Sequence, residues 1–443
     1  MSSAESSNFK RIILESNDQQ KTVDLSAGVV SVDYYEDLFS PTVTAKVTVI
    51  NTGDSIPGKE DDRKFQSIYN GLPLRGGERL RMYIVDRGTG KNGEEKEGLD
   101  FGSTSDKYLF VSSITNVIVD SSRESFTLNL VSREAITNET ARVVKKYDKT
   151  ISSSVTSILE NVLKSNKINE VEETANARYA FIGNLKKPFT TLVWLASKAI
   201  PNTSSKDATA GFFFYQTQDG FNFRSIDKLI ETEPKATYTY SQVPTSQVET
   251  NTDFKIISFN TNKNQNLIEK LRLGTYSSQR MYFNPATFEF TDPRKGLFKF
   301  DRDKIVNLGT NGNISLPTIE DGSSTSLGEV PTRILSGIVN VGTLDKETST
   351  EVNADALKHQ SQSIMRYNML MTQTISMTVP CNTDLRAGDI LDCKIHKLSS
   401  DEDALDYEVS GLYMIKELCH HFEPTSSYTS MKLVRDNFGI HKK

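Results

Sequence analysis

Few residues in this chain have the types and spacing to do chemistry. Among its five histidines, His359, His396, His420, His421 and His441, only the run Cys419-His420-His421 gathers metal-ligating side chains. On a strand, neighbours point to opposite faces, so Cys419 and His421 share a face that His420 does not. Cys393 or Cys381 from an adjacent strand would extend the set, but the paired Cys-x-x-Cys spacing of a zinc site is missing. The expectation is a half-buried strand without a metal. Gly88-Thr89-Gly90-Lys91 has the residue types of a phosphate loop without its Gly-x-x-x-x-Gly-Lys-Ser/Thr spacing or its strand-then-helix setting, and reads as a hairpin loop. Asp401-Glu402-Asp403 with Asp406 begins like a calcium loop, yet no glycine stands sixth and no glutamate twelfth, so a solvated acidic loop is expected. Any chain with 57 acidic residues contains carboxylate pairs, and spacing does not say which would meet. No nucleophile elbow or His-Glu-x-x-His helix is present. No catalytic, cofactor-binding or metal residue is therefore assigned, and no cofactor is expected.

What positions these residues is a repeat. Leu74-Arg75-Gly76-Gly77-Glu78-Arg79-Leu80 returns as Leu385-Arg386-Ala387-Gly388-Asp389-Ile390-Leu391, each leading into a strand-like run. A second strand-like block follows in each copy, residues 108–111 and 412–415, and then a closing strand, residues 126–131 and 428–434. Long-period repetition means two similar modules. Gly76, Gly77 and Glu78, like Ala387, Gly388 and Asp389, read as structural turns, with glycine allowing the tight turn that starts a strand.

Around the repeat the periodicity changes twice. Val43, Ala45, Val47 and Val49 alternate with Thr44, Lys46 and Thr48, a strand with one face in a core, so residues 8–135 read as an antiparallel β-barrel whose polar stretches, 59–71 and 87–107, are loops. Ile151, Val155, Ile158, Leu159, Val162 and Leu163 mark one helix face, and Phe189, Leu192, Val193, Ala196, Ala199 and Ile200 another, started near Pro188. Aromatic runs on either side of Asp219-Gly220 mark a β-hairpin. Residues 136–245 are thus expected to form an α+β middle domain. Strand signals at Ile256-Ile257-Ser258-Phe259 and near Leu271-Arg272-Leu273, resuming around Met371, give a discontinuous second barrel, 246–275 plus 361–437. Residues 276–360 read as a loop-rich insertion joined to the middle domain. The fold class is mainly β.

At 443 residues the chain exceeds a single core. A formal charge of −5 without clustered Lys and Arg argues against a dedicated nucleic-acid binder. No apolar run approaches the roughly 20 residues of a membrane span, and Met1-Ser2-Ser3-Ala4-Glu5 lacks a secretory pattern, so folding in a cytoplasm is expected. Cys381, Cys393 and Cys419 are expected to be buried free thiols.

The order barrel, helical domain, interrupted barrel resembles the baseplate hub protein of contractile-tailed bacteriophages of the T-even type, and the related N-terminal hub part of the VgrG spike. The resemblance rests on Tyr34-Tyr35-Glu36-Asp37-Leu38-Phe39-Ser40-Pro41 leading into residues 43–49, on residues 188–199 followed by the 212–227 hairpin, and on residues 385–395 with the closing strands. It implies two tail-tube-like barrels per chain and a homotrimeric ring that adapts a sixfold tail tube to a threefold central spike around a DNA channel. It also implies, as partners, the spike, the tail-tube protein and tube initiators, wedge or other baseplate proteins, and tape-measure protein and DNA passing through. The place implied is the virion tail baseplate, assembled in the host cytoplasm, with no membrane insertion and no enzymatic activity. Two other readings compete with it. A receptor- or carbohydrate-binding tail module is suggested by the aromatic hairpin, and a tail-associated cell-wall hydrolase by abundant glutamate, for which the helical domain offers Glu160 near the end of its first helix, without a convincing partner.

Overall fold

The alternation in residues 43–49 becomes β4 (Thr44–Asn51), which sends Ala45, Val47 and Val49 into a core. A computed structural model describes residues 8–437 except 52–55, 58–64, 73, 86–97, 121–122, 176–178, 203–208, 241–253, 263–265, 286, 293–295, 300–305, 309–316, 321, 340–355 and 398–404. Gly88, Gly90, Lys91 and Asp401 to Asp403 lie outside the described residues.

The first module is built from β1 (Asn8–Glu15), β2 (Thr22–Asp24), β3 (Val29–Asp37), β4, a short pair β5 (Ile56–Pro57) and β6 (Phe65–Gln66), the single turn α1 (Ile68–Gly71), β7 (Arg79–Val85), β8 (Leu99–Phe101), β9 (Leu109–Val119) and β10 (Glu124–Ser132). Its main strands run β3-β4-β10-β9-β7-β1-β2 and curl around Val32, Tyr34, Val47, Met82, Ile84, Phe126 and Leu128. Two stretches expected as plain loops carry structure. Leu99 and Phe101 are buried because β8 pairs with β7, and α1 buries Ile68.

The middle region holds α2 (Arg133–Thr140), β11 (Lys146–Tyr147), α3 (Ile151–Asn161), β12 (Ile168–Val171), β13 (Phe181–Ile182), α4 (Pro188–Ala196), β14 (Phe212–Thr217), β15 (Gly220–Ser225) and α5 (Ile226–Ile230). Both helices appear where the 3.6-residue period placed them. Thr150 caps α3 by accepting the Ser153 N–H, and Pro188 opens α4, where its missing N–H costs nothing. The hairpin turn is Gln218-Asp219, one residue earlier than the Asp-Gly pair suggested, because Gly220 already pairs with Thr217. Phe212, Phe214, Phe221 and Phe223 fill a core with α3 and α4, each contributing about 1.5–3 kcal/mol by burial.

The second module comprises β16 (Ala236–Tyr240), β17 (Ser258–Asn262), and, after α6 (Leu267–Arg272), β18 (Ser277–Asn284), β19 (Glu289–Phe290), β20 (Leu297–Lys299), β21 (Arg333–Ile338) and α7 (Ala356–Leu370), the strands β22 (Gln373–Pro380), β23 (Ile390–Ile395), β24 (Gly411–Phe422) and β25 (Ser427–Arg435). Strand order β17-β22-β25-β24 extends through β23 to β16. A parallel bridge between Thr239 and Lys255, with the Ile256 N–H donating to the Thr239 carbonyl at 2.9 Å, returns the sheet to the segment before β17 and closes the barrel. β16 falls in the span expected for the middle domain but pairs in parallel with β23, Tyr238 entering the barrel core. Leu271-Arg272-Leu273 is not a strand. Asn266 accepts the Glu269 N–H and caps α6 there.

The insertion is more ordered than its loop signals suggested. β18 pairs with β19 and β20 antiparallel and with β21 in parallel. α7 covers this small sheet with Met365 and Met369 against Tyr276. Residues 361–370, expected within the second barrel, are therefore helix.

The two modules share one sheet. Residues 417–422 of β24 pair antiparallel with residues 32–37 of β3, so 14 strands of the described chain form a single hydrogen-bonded sheet.

Candidate functional site

The repeated turns are alike in detail. Leu74 and Leu385 are both buried where their turns begin. Gly77 has φ +92° and donates to the Val111 carbonyl at 2.7 Å; Gly388 has φ +95° and donates to the Ile415 carbonyl at 2.9 Å. Both positions need the left-handed backbone region that glycine reaches without a Cβ penalty. The return bonds match as well, Val111 N–H to the Glu78 carbonyl and Ile415 N–H to that of Asp389, each at 2.9 Å.

The hydrogen bonding of the copies diverges where Gly76 aligns with Ala387 and Glu78 with Asp389. Gly76, at φ +101°, turns its N–H to Glu78, whose carboxylate also accepts the Arg75 N–H at 2.7 Å. In the second copy Ala387 stands where Gly76 stood. Asp389, one methylene shorter than Glu78, accepts the Arg386 N–H at 2.9 Å. The Ala387 N–H instead meets Glu36, at the end of β3 in the first module, at 2.9 Å.

Glu36 is the hub of a three-way junction. Its Oε1 accepts the Tyr34 hydroxyl at 2.8 Å and the Gln218 N–H of the hairpin turn at 2.7 Å, while Oε2 takes Ala387. Burial pushes the carboxyl up to about 7, against the pull of Arg386 and its three donors. Arg386 lies beside it and grips Asp219 through two nitrogens, Nε at 2.8 Å and Nη2 at 3.3 Å. An apolar layer backs the junction with Leu38 from the first module, Phe213 and Tyr215 from the hairpin, and Ile390, Met414 and Val434 from the second module. First module, middle domain and second module thus meet at one carboxylate.

The Cys419-His420-His421 run crosses the same seam. His420 is fully buried, its Nδ1 2.9 Å from the Thr429 hydroxyl and its ring parallel to that of Tyr34; burial and nearby Arg386 push it down to about 3. Cys419 and His421 lie on the opposite face, as alternation required, and both approach Asp33, with His421 Nδ1 at 2.5 Å and Cys419 Sγ at 3.9 Å. Glu423 lies 3.1 Å from His421 Nε2. Among the described residues no group of three or more His, Cys, Asp or Glu side chains is arranged to hold a metal. Cys393 is buried, whereas Cys381 and Cys419 are half-buried, a difference from the three buried thiols expected. Glu160 is exposed near the end of α3, and the hairpin aromatics are packed inward.

Among the described residues, this junction joins strands and domains. The comparisons with known proteins agree in kind. No family model matches the chain. Over 301 residues, 65% of its length, the chain is 24% identical to the probable baseplate hub protein gp334 of Vibrio phage KVP40. The resemblance to phage baseplate hub proteins holds. The match spans 66% of the relative, just under two thirds of its length. Among solved structures, a tail protein from Neisseria meningitidis MC58 superposes with a TM-score of 0.51 at 9% identity, covering 97% of this chain and 96% of that one. The 43 kDa tail protein of prophage MuSo2 from Shewanella oneidensis gives 0.50 at 10% identity, with 96% and 98% covered. The chain thus shares the overall fold of these tail proteins, two β modules with a helical domain between them.

Proposed function

We propose that the chain is a structural subunit of a phage tail baseplate hub, without enzymatic activity, and that three copies form a ring adapting a sixfold tail tube to a threefold central spike. The observation that carries this reading is the pairing of β24 with β3. Two modules built on the same turn lie edge to edge in one sheet, so one chain can occupy two neighbouring positions of a sixfold arrangement while its middle domain and insertion repeat only threefold. The repeated turns at Gly76, Gly77 and Glu78 and at Ala387, Gly388 and Asp389 are then architecture, setting where a strand begins in each module. The sheet face on which Thr48 lies against Thr127 in one module and Thr378 against Ser430 in the other is polar, which suits the wall of a channel. Spike, tail-tube protein, tube initiators and wedge proteins are the partners this role requires, and the virion baseplate is its place.

The test is solution mass, alone and with a candidate spike protein, followed by negative-stain averaging. One chain is 49.6 kDa, so a trimer has about 149 kDa. A ring of that mass with a central hole and six lobes supports the adaptor reading. A monomer that persists with the spike present removes it.

A further inference from the structure

The last residue of β24 packs in the other module. Phe422 is fully buried and lies in the first module's core with Val32, Tyr34 and Phe126, opposite Val32 at the end of the β3–β24 pairing. Withdrawing it would expose an aromatic ring and leave a void in that core. Glu36, opposite Leu418, holds the other half of the seam. At the Phe422 end the neighbouring side chain on β24 is His421, directly opposite Asp33.

Both ring nitrogens of His421 meet a carboxylate. Nδ1 lies 2.5 Å from Asp33 Oδ1 on β3, and Nε2 lies 3.1 Å from Oε1 of Glu423, in the turn that joins β24 to β25. Glu423 is itself fixed there, its N–H donating to the Ser426 carbonyl at 2.8 Å and its Oε2 accepting the Ser426 hydroxyl at 3.2 Å. A neutral imidazole has a single N–H and would turn a lone pair toward one of these acids, whereas an imidazolium donates to both. The ring also stacks on Tyr428 of β25, with centroids 4.5 Å apart. Burial pulls its proton affinity down, but the bonds to Asp33 and Glu423 outweigh burial and raise the group above its ordinary 6.5. The neighbouring thiol and phenols keep their protons through neutral pH: burial pushes Cys419 up to about 12 and holds Tyr428 and Tyr35 above the usual tyrosine range. Lys46 of β4 stands opposite Asp33 in register and 5.7 Å over the Tyr35 ring, the cation on the far side of that acid.

We propose that His421 is a proton-operated clasp on the seam between the modules: as imidazolium it ties Asp33 of β3 to the Glu423 turn and keeps Phe422 seated in the first module, and on losing its proton it lets that end of the seam part. The loss leaves Asp33 and Glu423 flanking a ring that can donate to only one of them, without the positive charge that joined the two acids. Because the folded-state value is the higher one, the clasp is fully closed below 6.5 and opens as the pH rises through that folded-state value. Opening frees Phe422 with the last strand pairs, while the apolar layer of Leu38, Met414 and Val434 keeps the modules joined beside Glu36. The modules then hinge rather than separate. The clasp works within one chain and does not depend on the number of copies in an assembly.

The test is backbone hydrogen exchange of the full chain, read by mass spectrometry at about pH 6 and about pH 9 with exchange times scaled for the intrinsic rate. Glu36→Gln serves as the reference, because it removes the titration of the buried carboxylate on the opposite face of β3. In that chain, peptides covering residues 29–33 and 419–423 should lose roughly tenfold in protection at the higher pH, and adding His421→Gln should abolish the drop. Protection that is the same at both pH values overturns the clasp. An equal drop with His421→Gln also overturns it, since the sensitivity would then lie in other groups. Exchange at the ring C2–H of His421, measured in the native chain, needs no variant to fold: a midpoint above 6.5 is expected, lowered by Asp33→Asn, and a native midpoint at or below 6.5 overturns the proposal.

Discussion

Glu36 and Ala387 stand 351 positions apart in the chain, and the carboxylate of the first accepts the backbone N–H of the second at 2.9 Å. The bond exists because the repeat is imperfect. Where Gly76 can take positive φ and hand its N–H to the acid of its own turn, alanine at 387 keeps to ordinary backbone, and its N–H must find an acceptor elsewhere. A symmetric element thereby becomes a tie between modules.

Glu36 makes stability depend on pH in an unusual direction. Its folded-state value, about 7 against an ordinary 4.5, lies above the unfolded one, so the unfolded chain binds fewer protons between these values. The contribution is full below about pH 4.5 and is lost as the pH rises through 7. Urea unfolding should show the native chain losing on the order of 3 kcal/mol relative to Glu36→Gln over that interval. A difference independent of pH would mean that the carboxylate is not held as described. Glu36→Gln should also cost about 1–3 kcal/mol throughout, since its amide nitrogen would face a donor.

His420 acts in the opposite sense. Burial and Arg386 depress its folded-state value to about 3 from 6.5, so its contribution is full above about pH 6.5 and falls away as the pH drops toward 3. Compared with His420→Phe, which keeps a ring against Tyr34 but cannot take a proton, the native chain should lose on the order of 3 kcal/mol by about pH 4. Glu36 and His420 partly cancel between pH 4.5 and 6.5, so each must be read against its own variant. An acid limb unchanged in His420→Phe would place the acid sensitivity elsewhere.

The two turn glycines should differ in their tolerance of alanine although their backbones match. At Gly77 an added Cβ would lie 2.9 Å from Asn17 Oδ1, the end of a side chain that can move. At Gly388 it would lie 2.8 Å from Tyr215 Oη, 3.2 Å from Leu229 and 3.4 Å from Leu38, all in the buried layer between domains. Gly77→Ala should cost about 1–2 kcal/mol from its positive φ. Gly388→Ala should add roughly 1–3 kcal/mol of overpacking, seen as the larger drop in thermal midpoint.

How much of this could be read before the fold was known depends on whether the signal was local. The alternation at residues 43–49, the Pro188 helix start and the aromatic hairpin are set by neighbours in sequence, and all three stand in the structure. The repeat located both turns. Glu36, in contrast, reads as one more acid at a strand end, and nothing nearby says that its partners lie at 218 and 387. α7 was invisible for a related reason. Its inward face carries Ser361, Ser363 and Arg366 beside Met365 and Met369, so the apolar period that marks a helix is broken by polar contacts to distant segments. The two- and three-residue strands β19 and β20 are too short to carry any period.

Arg366 is the buried charge among the polar contacts of that helix. Its side chain is buried on α7, with Nη2 2.5 Å from Asp227 of α5 and Nη1 3.4 Å from Asp436, just past β25. Each acid has a further partner: Asp227 accepts the Thr209 N–H at 2.8 Å and Asp436 the Leu308 N–H at 3.0 Å. Removing the arginine therefore strands two buried carboxylates that remain tethered in place. Arg366→Ala should cost about 3–5 kcal/mol. Arg366→Ala combined with Asp227→Asn and Asp436→Asn should recover part of that loss, because the amides carry no charge to desolvate. Hydrogen exchange locates the effect: in Arg366→Ala protection should fall first in α7 and α5, the elements the guanidinium joins, before it falls in the first module. Uniform loss of protection across all strands would mean that α7 is not the separately tied element its contacts describe.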